Sequence, residues 1–363
     1  MSNLAQKKML SAFFQSASPL FFLMSFFRAP RENFYEGESV EIDIVRTGEQ
    51  VSVAMSDMRQ GYKTNTVELS TNKKYTPPAH KEAVDINSFQ LLKREPGQNP
   101  FEQVGYRAKL MNKILRSTRP TADKILRSME WQCSQVLQTG VVNLTDENGV
   151  VTYNIDYKPK ASHFPTAGTA WSNAGADILG DLEALDTQIR IDSKRRADVC
   201  ILGTGAYEAI FGNTVIKERL NFRRATTVEI TAQRSNSEMG KFHGFIEVAN
   251  SRLELWTYDG WYEDPQTSTL TPFVDPGSAI LLASGARLDA TFGGVPNIGQ
   301  LLGLNSNRVP MNIPRLSSGN NMSDLHVNAW TDNSGENLTV GIASRPLMIP
   351  TDIDSFGCIT TGV

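Results

Sequence analysis

Residues 18–27 read SPLFFLMSFF. Leu20, Phe21, Phe22, Leu23, Met24, Phe26 and Phe27 crowd into one short run near the N-terminus, and Arg28 and Pro30 stop it. A bilayer span needs roughly 20 apolar residues, so this run is too short to cross one. So much aromatic surface close to a chain end must be covered, because left open it is an aggregation hazard. Two readings account for it. It is an arm that buries itself on a neighbouring subunit, or it is an ordinary segment of the chain's own core.

The whole-chain numbers narrow the class. At 363 residues the chain is long enough for about two domains. With 40% hydrophobic and 21% charged residues it can bury a real core and is not disordered by composition. A net charge of −3 argues against a protein that works on nucleic acid through bulk positive charge. Cys133, Cys200 and Cys358 are odd in number, far apart and not in CxxC spacing, so neither a disulfide framework nor a zinc site is expected, and a reducing compartment fits. Lys7 and Lys8 ahead of Met9–Phe14 faintly imitate a signal peptide, but no small-x-small cleavage site follows the Phe-rich run, so it is not read as one. No transmembrane helix is expected.

Outward from the aromatic run, residues 1–39 read as an arm that ends in the turn-prone RAPRENFYEGES. Val40, Ile42 and Ile44 alternate with polar residues, as on a half-buried strand, and Val51–Met55 is again strand-like. Asp57–Ala83 is polar and rich in Thr and Tyr; a long extended segment with so little core is usually functional, and it reads as a projecting two-stranded loop. Phe101–Gln138 reads as helix: Val104, Ala108, Met111, Ile114 and Leu115, then Ile125, Leu126, Met129, Cys133, Val136 and Leu137, form an apolar stripe. Pro120 predicts a break or kink with Thr118 as a cap, and Gly140 is the expected C-cap. Val141–Leu144 and Val150–Tyr157 flank the hairpin signal TDENG. Lys158–Gly175, rich in Pro, Gly, Ser and Thr, reads as a linker. Beyond it, helix Asp177–Ile191, strand Ala197–Leu202, helix Ala206–Phe211, the hairpin Phe245–Val248 with Leu253–Tyr258, and strand Ala279–Ala283 predict an α/β-type second domain. The strands Leu338–Ala343 and Phe356–Thr360 are expected to return to the first domain.

Groups that could carry chemistry are few. Asp198–Gly205, DVCILGTG, has the apolar strand and GxG that open a dinucleotide fold, but lacks the third glycine and the distant acid. There is no P-loop and no GxSxG elbow. His80, His163, His243 and His326 are isolated, and Cys200 sits in an apolar strand as a core thiol. Glu263 and Asp264 beside Trp261 and Tyr262 could hold a sugar or a cation but read better as a hairpin tip. Lys194, Arg195 and Arg196 end a helix, where they complement its dipole. The expected lists of catalytic, cofactor-binding and metal-binding residues are therefore empty. The constructional features (arm, loop, long helix, second domain) point to an assembly protein.

The order of parts resembles the major capsid protein E family of tailed bacteriophages, the lambda-like head proteins. The blocks that carry the likeness are SPLFFLMSFF (18–27) followed by a strand, TPPAHKEAVDI (76–86) ahead of LLKRE (91–95), the helix with its basic face YRAKLMNKIL (106–115), the segment Leu253–Ala283, and SRPLMIPTDIDSF (344–356). Arg287–Ser318 matches the family pattern least. The resemblance implies an α+β, tailed-phage major capsid fold: N-terminal arm 1–39, extended loop region 40–95, peripheral domain with spine helix 96–157 and 335–363, and axial domain 158–334. It implies hexamers and pentamers in an icosahedral shell around the genome, with no cofactor and no catalytic centre. The implied partners are further copies of the chain, scaffold, portal and decoration proteins, and packaged DNA touched weakly on the inner face; the implied location is the virion, after synthesis in the host cytoplasm. The subunit-interface candidates are Phe21, Phe22, Phe26, Phe27, Met58, Arg59, Tyr62 and Tyr75. Two other readings stay open: a soluble α/β enzyme with an unrecognised site, and a different phage structural protein.

Overall fold

The computed structural model describes residues 21–30, 33–35, 39–45, 70–91, 105–145, 150–173, 175–213, 216, 240–248, 251–295, 308–309, 316–318, 321–323, 325–332, 334 and 336–363. Its centre is the strand Val199–Leu202, VCIL, all four residues buried. A strand with no polar position must be covered on both faces. Cys200 and Leu202 belong to a core that contains Leu182, Leu185 and Ile189 of helix α2 (Ile178–Ser193) and Ile210 of helix α3 (Thr204–Gly212). Val199 and Ile201 belong to a second core that contains Met129, Cys133 and Val136 of helix α1 (Tyr106–Thr139). The five-stranded sheet around it runs Phe356–Thr360, Ser278–Leu282, Val199–Leu202, Ser251–Tyr258, Gly240–Val248. Only the pairing of Val199–Leu202 with Ser251–Tyr258 is parallel.

Helix α1 is 34 residues long, about 50 Å at 1.5 Å per residue. It carries on through Pro120, where a break or kink with a Thr118 cap was the expectation. Pro120 is exposed, so its ring, which lacks an N–H, lies on the solvent side of the helix. The Thr118 hydroxyl donates to the Ile114 carbonyl at 2.8 Å, which is a bond inside the helix and not a cap. Gly140 ends the helix at φ +69°, as expected, and a Cβ there would lie 2.5 Å from Pro159.

A four-stranded antiparallel sheet lies along α1 in the order Arg308–Val309, His326–Thr331, Asn337–Ser344, His80–Asn87. In Asn337–Ser344 every second residue (Leu338, Val340, Ile342, Ser344) is buried, the period of a strand with one core face. Residues 80–83, expected in the projecting loop, are part of this sheet. Val40–Val45 pairs antiparallel with Ser70–Tyr75. Val141–Thr145 pairs with Val151–Asp156 as the expected hairpin.

Two expectations fail. Phe356–Thr360 does not return to the first domain: it pairs with Ser278–Leu282 and forms the edge of the five-stranded sheet, with Phe356, Cys358 and Ile359 divided between its two cores. Lys158–Gly175 is not a linker. Thr360 N–H donates to the Pro165 carbonyl (3.0 Å), and Ala167 and Trp171 N–H donate to Thr360 and Thr361 carbonyls (2.9 and 3.0 Å). The buried Trp171 indole donates to Asp181 at 2.8 Å. Buried His163 bridges the Phe356 carbonyl (2.9 Å) and Asp192 (2.8 Å), while Lys160 donates to the same carboxylate at 2.5 Å. Burial raises the pKa of Asp192, and the bonds from Lys160, His163 and Gln188 outweigh it and bring it down to about 2.

Replacing Pro120 by Ala restores one helical hydrogen bond on an exposed surface. It is expected to stabilise the subunit by about 2 kcal/mol, the helix-interior penalty of proline less its restriction of the unfolded chain. Urea unfolding of Pro120→Ala, read as a rise in midpoint at unchanged slope, checks this.

Candidate assembly site

The run that opened the sequence folds into a single turn. Leu23–Phe26 is a short 3-10 helix, closed by Ser25 N–H to the Phe22 carbonyl (3.1 Å) and Phe27 N–H to the Met24 carbonyl (3.1 Å). Its first amide groups have no partner within the turn. They meet the carboxylate of Glu130 on α1: Leu23 N–H donates to Oε1 at 2.7 Å and Met24 N–H to Oε2 at 2.9 Å. Glu130 is fully buried. Burial pushes its pKa from 4.5 up to about 7, although the amide donors of Leu23 and Met24 favour the charged form. The same carboxylate faces Tyr258 and Cys133. Burial first, and the Glu130 charge second, raise both of their pKa values.

Around this contact the rings form a continuous cluster. Phe22 lies 5.3 Å from Trp256, 5.7 Å from Tyr258 and 5.2 Å from Phe26. A Cβ at Gly240 would come within 2.6 Å of the Phe22 ring, so the strand approaches the phenylalanine only because that residue is glycine. Phe21 packs edge-on to Phe273 at 6.3 Å, and Phe273 passes the contact to Tyr262 (5.1 Å) and so to Trp131 of α1 (5.8 Å). The chain then leaves along the strand Leu288–Gly293: Arg28 N–H donates to the Leu288 carbonyl and Ala290 N–H to the Arg28 carbonyl, both at 2.8 Å.

This geometry sorts the interface candidates. Phe22 and Phe27 are buried by their own chain, which corrects the expectation that a neighbouring subunit buries part of them; the anchor on Glu130 holds the turn inside the subunit. Phe21 and Phe26 are half-buried at the rim of the cluster. Tyr75 is buried against Tyr157 at 5.4 Å, so its ring too is spent within the chain. Met58, Arg59 and Tyr62 lie outside the described residues, as does the strand expected at Val51–Met55. Glu130 was missed. Its one sequence signal is that it is the only charged residue between Arg127 and Asp146, in an otherwise uncharged stretch.

The other groups resolve as structural. Gly203 and Gly205 of the GxG lie under the loop Asp275–Gly277: a Cβ on Gly203 would meet the Asp275 carbonyl at 2.1 Å, and the Pro276 carbonyl accepts the Ala206 N–H at 2.9 Å. The place a pyrophosphate would take at the start of α3 is filled by this chain's own backbone. Glu263 and Asp264 stand in and beside the short hairpin Trp261–Glu263 with Leu270–Pro272, as expected. Lys194 is the left-handed C-cap of α2, and Arg195 pairs with Asp352 at 3.1 Å and with the Gly285 carbonyl, in place of a simple dipole contact. An open recess of about 390 Å³ borders Tyr207, Glu208, Lys241 and Thr257. His243 beside it is bonded to Thr257 (2.7 Å) and packed on Tyr207 (4.3 Å). Among the described residues no group of three or more His, Cys, Asp or Glu could hold a metal ion, and no helix is long and apolar enough to cross a membrane.

A long helix flanked by a β-sheet, a separate α/β layer and an N-terminal segment strapped to both define the tailed-phage major capsid fold. A solved Escherichia coli CFT073 prophage protein, described as a capsid protein, superposes with a TM-score of 0.65 at 17% identity over 97% of each chain. A cyanophage A-1(L) capsid subunit does so with a TM-score of 0.51 at 10% identity, over 95% of this chain and 94% of the other. No curated protein sequence matches. The chain belongs to the family described as phage major capsid protein E, which it matches over residues 12–360. It is a structural protein of the virion, a major capsid subunit that assembles into icosahedral shells.

Because the folded-state pKa of Glu130 stands above its unfolded value, the native chain binds a proton between about pH 4.5 and 7 that the unfolded chain does not. The contribution of this group to stability therefore rises as pH falls through that window and is lost as pH rises through about 7. The full effect is on the order of 3 kcal/mol. Urea unfolding between pH 5 and 8 should show this slope, and Glu130→Gln should flatten it. Glu130→Ala, which orphans two buried amides, should destabilise at every pH.

Proposed function

We propose that copies of this chain close as hexamers and pentamers around packaged DNA, without catalysing a reaction, and that the subunit is made in the host cytoplasm before it joins the virion. The observation that carries this is the family match, which runs along nearly the whole chain and so covers the N-terminal segment, the long helix and both sheets. The proposed working parts are the arm 1–39, the loop region 40–95, the peripheral domain 96–157 with 335–363, and the axial domain 158–334, with strand Phe356–Thr360 contributed to the axial sheet. Scaffold, portal and decoration proteins are the proposed partners.

The surface chemistry supports this reading. Shell contacts must be individually modest so that wrong additions can reverse. Half-buried Phe21 and Phe26 at the rim of a self-contained cluster supply area of that kind. So does the face of the hairpin that shows Trp261 and Leu270, 48% and 72% exposed, while Tyr262 on its other face packs on α1. A fully buried Phe is worth about 1.5–3 kcal/mol, so two half-buried rings can strengthen a contact without binding irreversibly.

Electron microscopy of the purified protein, with co-expressed phage partners where needed, should show closed shells or shell-derived rings; a chain that stays monomeric under every such condition would count against the proposal. The double substitution Phe21→Ala with Phe26→Ala should leave a folded subunit that assembles poorly. Phe22→Ala should instead cost the subunit itself about 3–5 kcal/mol, since it opens a cavity in the core.

A further inference from the structure

The basic residues of α1 gather on the side of the helix away from the core. The helix carries Arg107, Lys109, Lys113, Arg116, Arg119, Lys124 and Arg127 against Asp123 and Glu130, a net +5 in a chain of net −3, so the remainder of the chain carries −8. At 100° per residue, Lys109, Lys113, Arg116, Lys124 and Arg127 fall within an arc of about 80°. That arc is opposite the buried Ile114, Ala122, Ile125 and Met129. Arg116, Lys124 and Arg127 are exposed, and Lys109 and Lys113 half-exposed. The stripe is about 27 Å long, the rise of about eight base pairs. Two acids temper it: Asp123 at its edge, and Glu82 of the neighbouring strand, which pairs with Lys124 at 2.6 Å.

We infer that this stripe is the surface on which the subunit meets nucleic acid, through phosphates and without sequence preference. The inference rests on the shell reading, which puts a polyanion beside the subunit. A partner of one repeating charge is what a stripe of one sign fits. A protein partner would call for several apolar anchors; along the stripe the large exposed ring among the described side chains is Tyr106 at the start of the helix, and Lys109 lies over it at 6.0 Å. The chain's overall negative charge keeps the contact weak outside the stripe, so a shell can hold its contents without gripping them.

The test is fluorescence anisotropy of the full-length, unassembled subunit with a 30-base-pair duplex of arbitrary sequence, from 50 to 200 mM NaCl. Each phosphate contact contributes about −0.9 to the slope of log K against log salt. The triple substitution Lys109→Gln, Lys113→Gln, Arg127→Gln should reduce the slope by about 2–3 and weaken binding about tenfold or more at 100 mM salt. The charge-keeping triple Lys109→Arg, Lys113→Arg, Arg127→Lys should retain the slope, which separates charge from any effect on folding. Both triples should still close shells by electron microscopy. Absence of wild-type binding at 50 mM salt, or an unchanged slope in the glutamine triple, would overturn the inference. So would a glutamine triple that keeps the slope but fails to assemble, because the stripe would then serve a protein contact. Failure of the wild type to form shells bears on the shell reading alone, and the salt slope still decides the stripe.

Discussion

One buried carboxylate organises the subunit. Glu130 is the one charged residue of the long helix beyond Arg127 and is fully buried there, where an ionised side chain is costly unless donors replace its lost water. The two amides at the start of the Leu23–Phe26 turn are such donors, and they have no other partner within the turn. Each side thus satisfies the other across more than a hundred residues of sequence. The consequence is geometric. With the turn fixed on α1, Phe22 can only lie against Trp256 and Tyr258 of the five-stranded sheet, and Arg28 can only continue along Leu288–Gly293. Helix, sheet and N-terminal segment are held in one arrangement by a contact that a simple apolar packing would leave free to slide.

The second constraint is the doubly covered strand Val199–Leu202. Because both its faces are apolar, helices are needed on both sides, and the chain must supply them from distant segments: α2 and α3 on one face, α1 on the other. The C-terminal strand and the segment around Trp171 then seal the edge through backbone hydrogen bonds. The glycines that imitate a nucleotide motif are explained here. They let the loop before Ser278–Leu282 cross the start of α3 in direct contact, a packing need that produces the same GxG spacing as phosphate binding does.

What was legible in the sequence was what periodicity encodes. The stripe from Ile114 to Leu137 gave the long helix and VCIL the buried strand, and Leu338–Ala343 was read as a strand. The aromatic run was plainly a segment needing cover, but its partner was not visible, since nothing local marks Glu130 as the acceptor for Leu23 and Met24. Composition misled at Lys158–Gly175, where Pro, Gly, Ser and Thr look like a spacer while Trp171 and His163 are buried. Pro120 did not bring the break that was one of its two expected effects: an exposed proline in a long helix loses one bond, and tertiary burial on the opposite face outweighs it. The likeness to capsid proteins was carried by the order of blocks along the chain. Order survives where identity has fallen to 17%, because the fold depends on which segments meet and only loosely on which side chains fill them.

A shell subunit must satisfy two demands that pull apart: a core rigid enough to hold one shape, and contacts weak enough to be corrected during growth. The chain meets them by separating its apolar groups. The largest side chains nearest the anchor, Phe22, Phe27, Trp256 and Phe273, are turned inward. The exposed ones among the described residues include Phe89, Tyr106, Trp261, Leu270 and Trp330, distributed over a strand end, a helix start, a short hairpin and the strand His326–Thr331. Every 1.4 kcal/mol multiplies an equilibrium constant tenfold, so one large apolar patch would make a first, misplaced contact permanent. The same area divided among several edges gives contacts that each dissociate readily and become stable only when all are made together, which happens only in the closed arrangement.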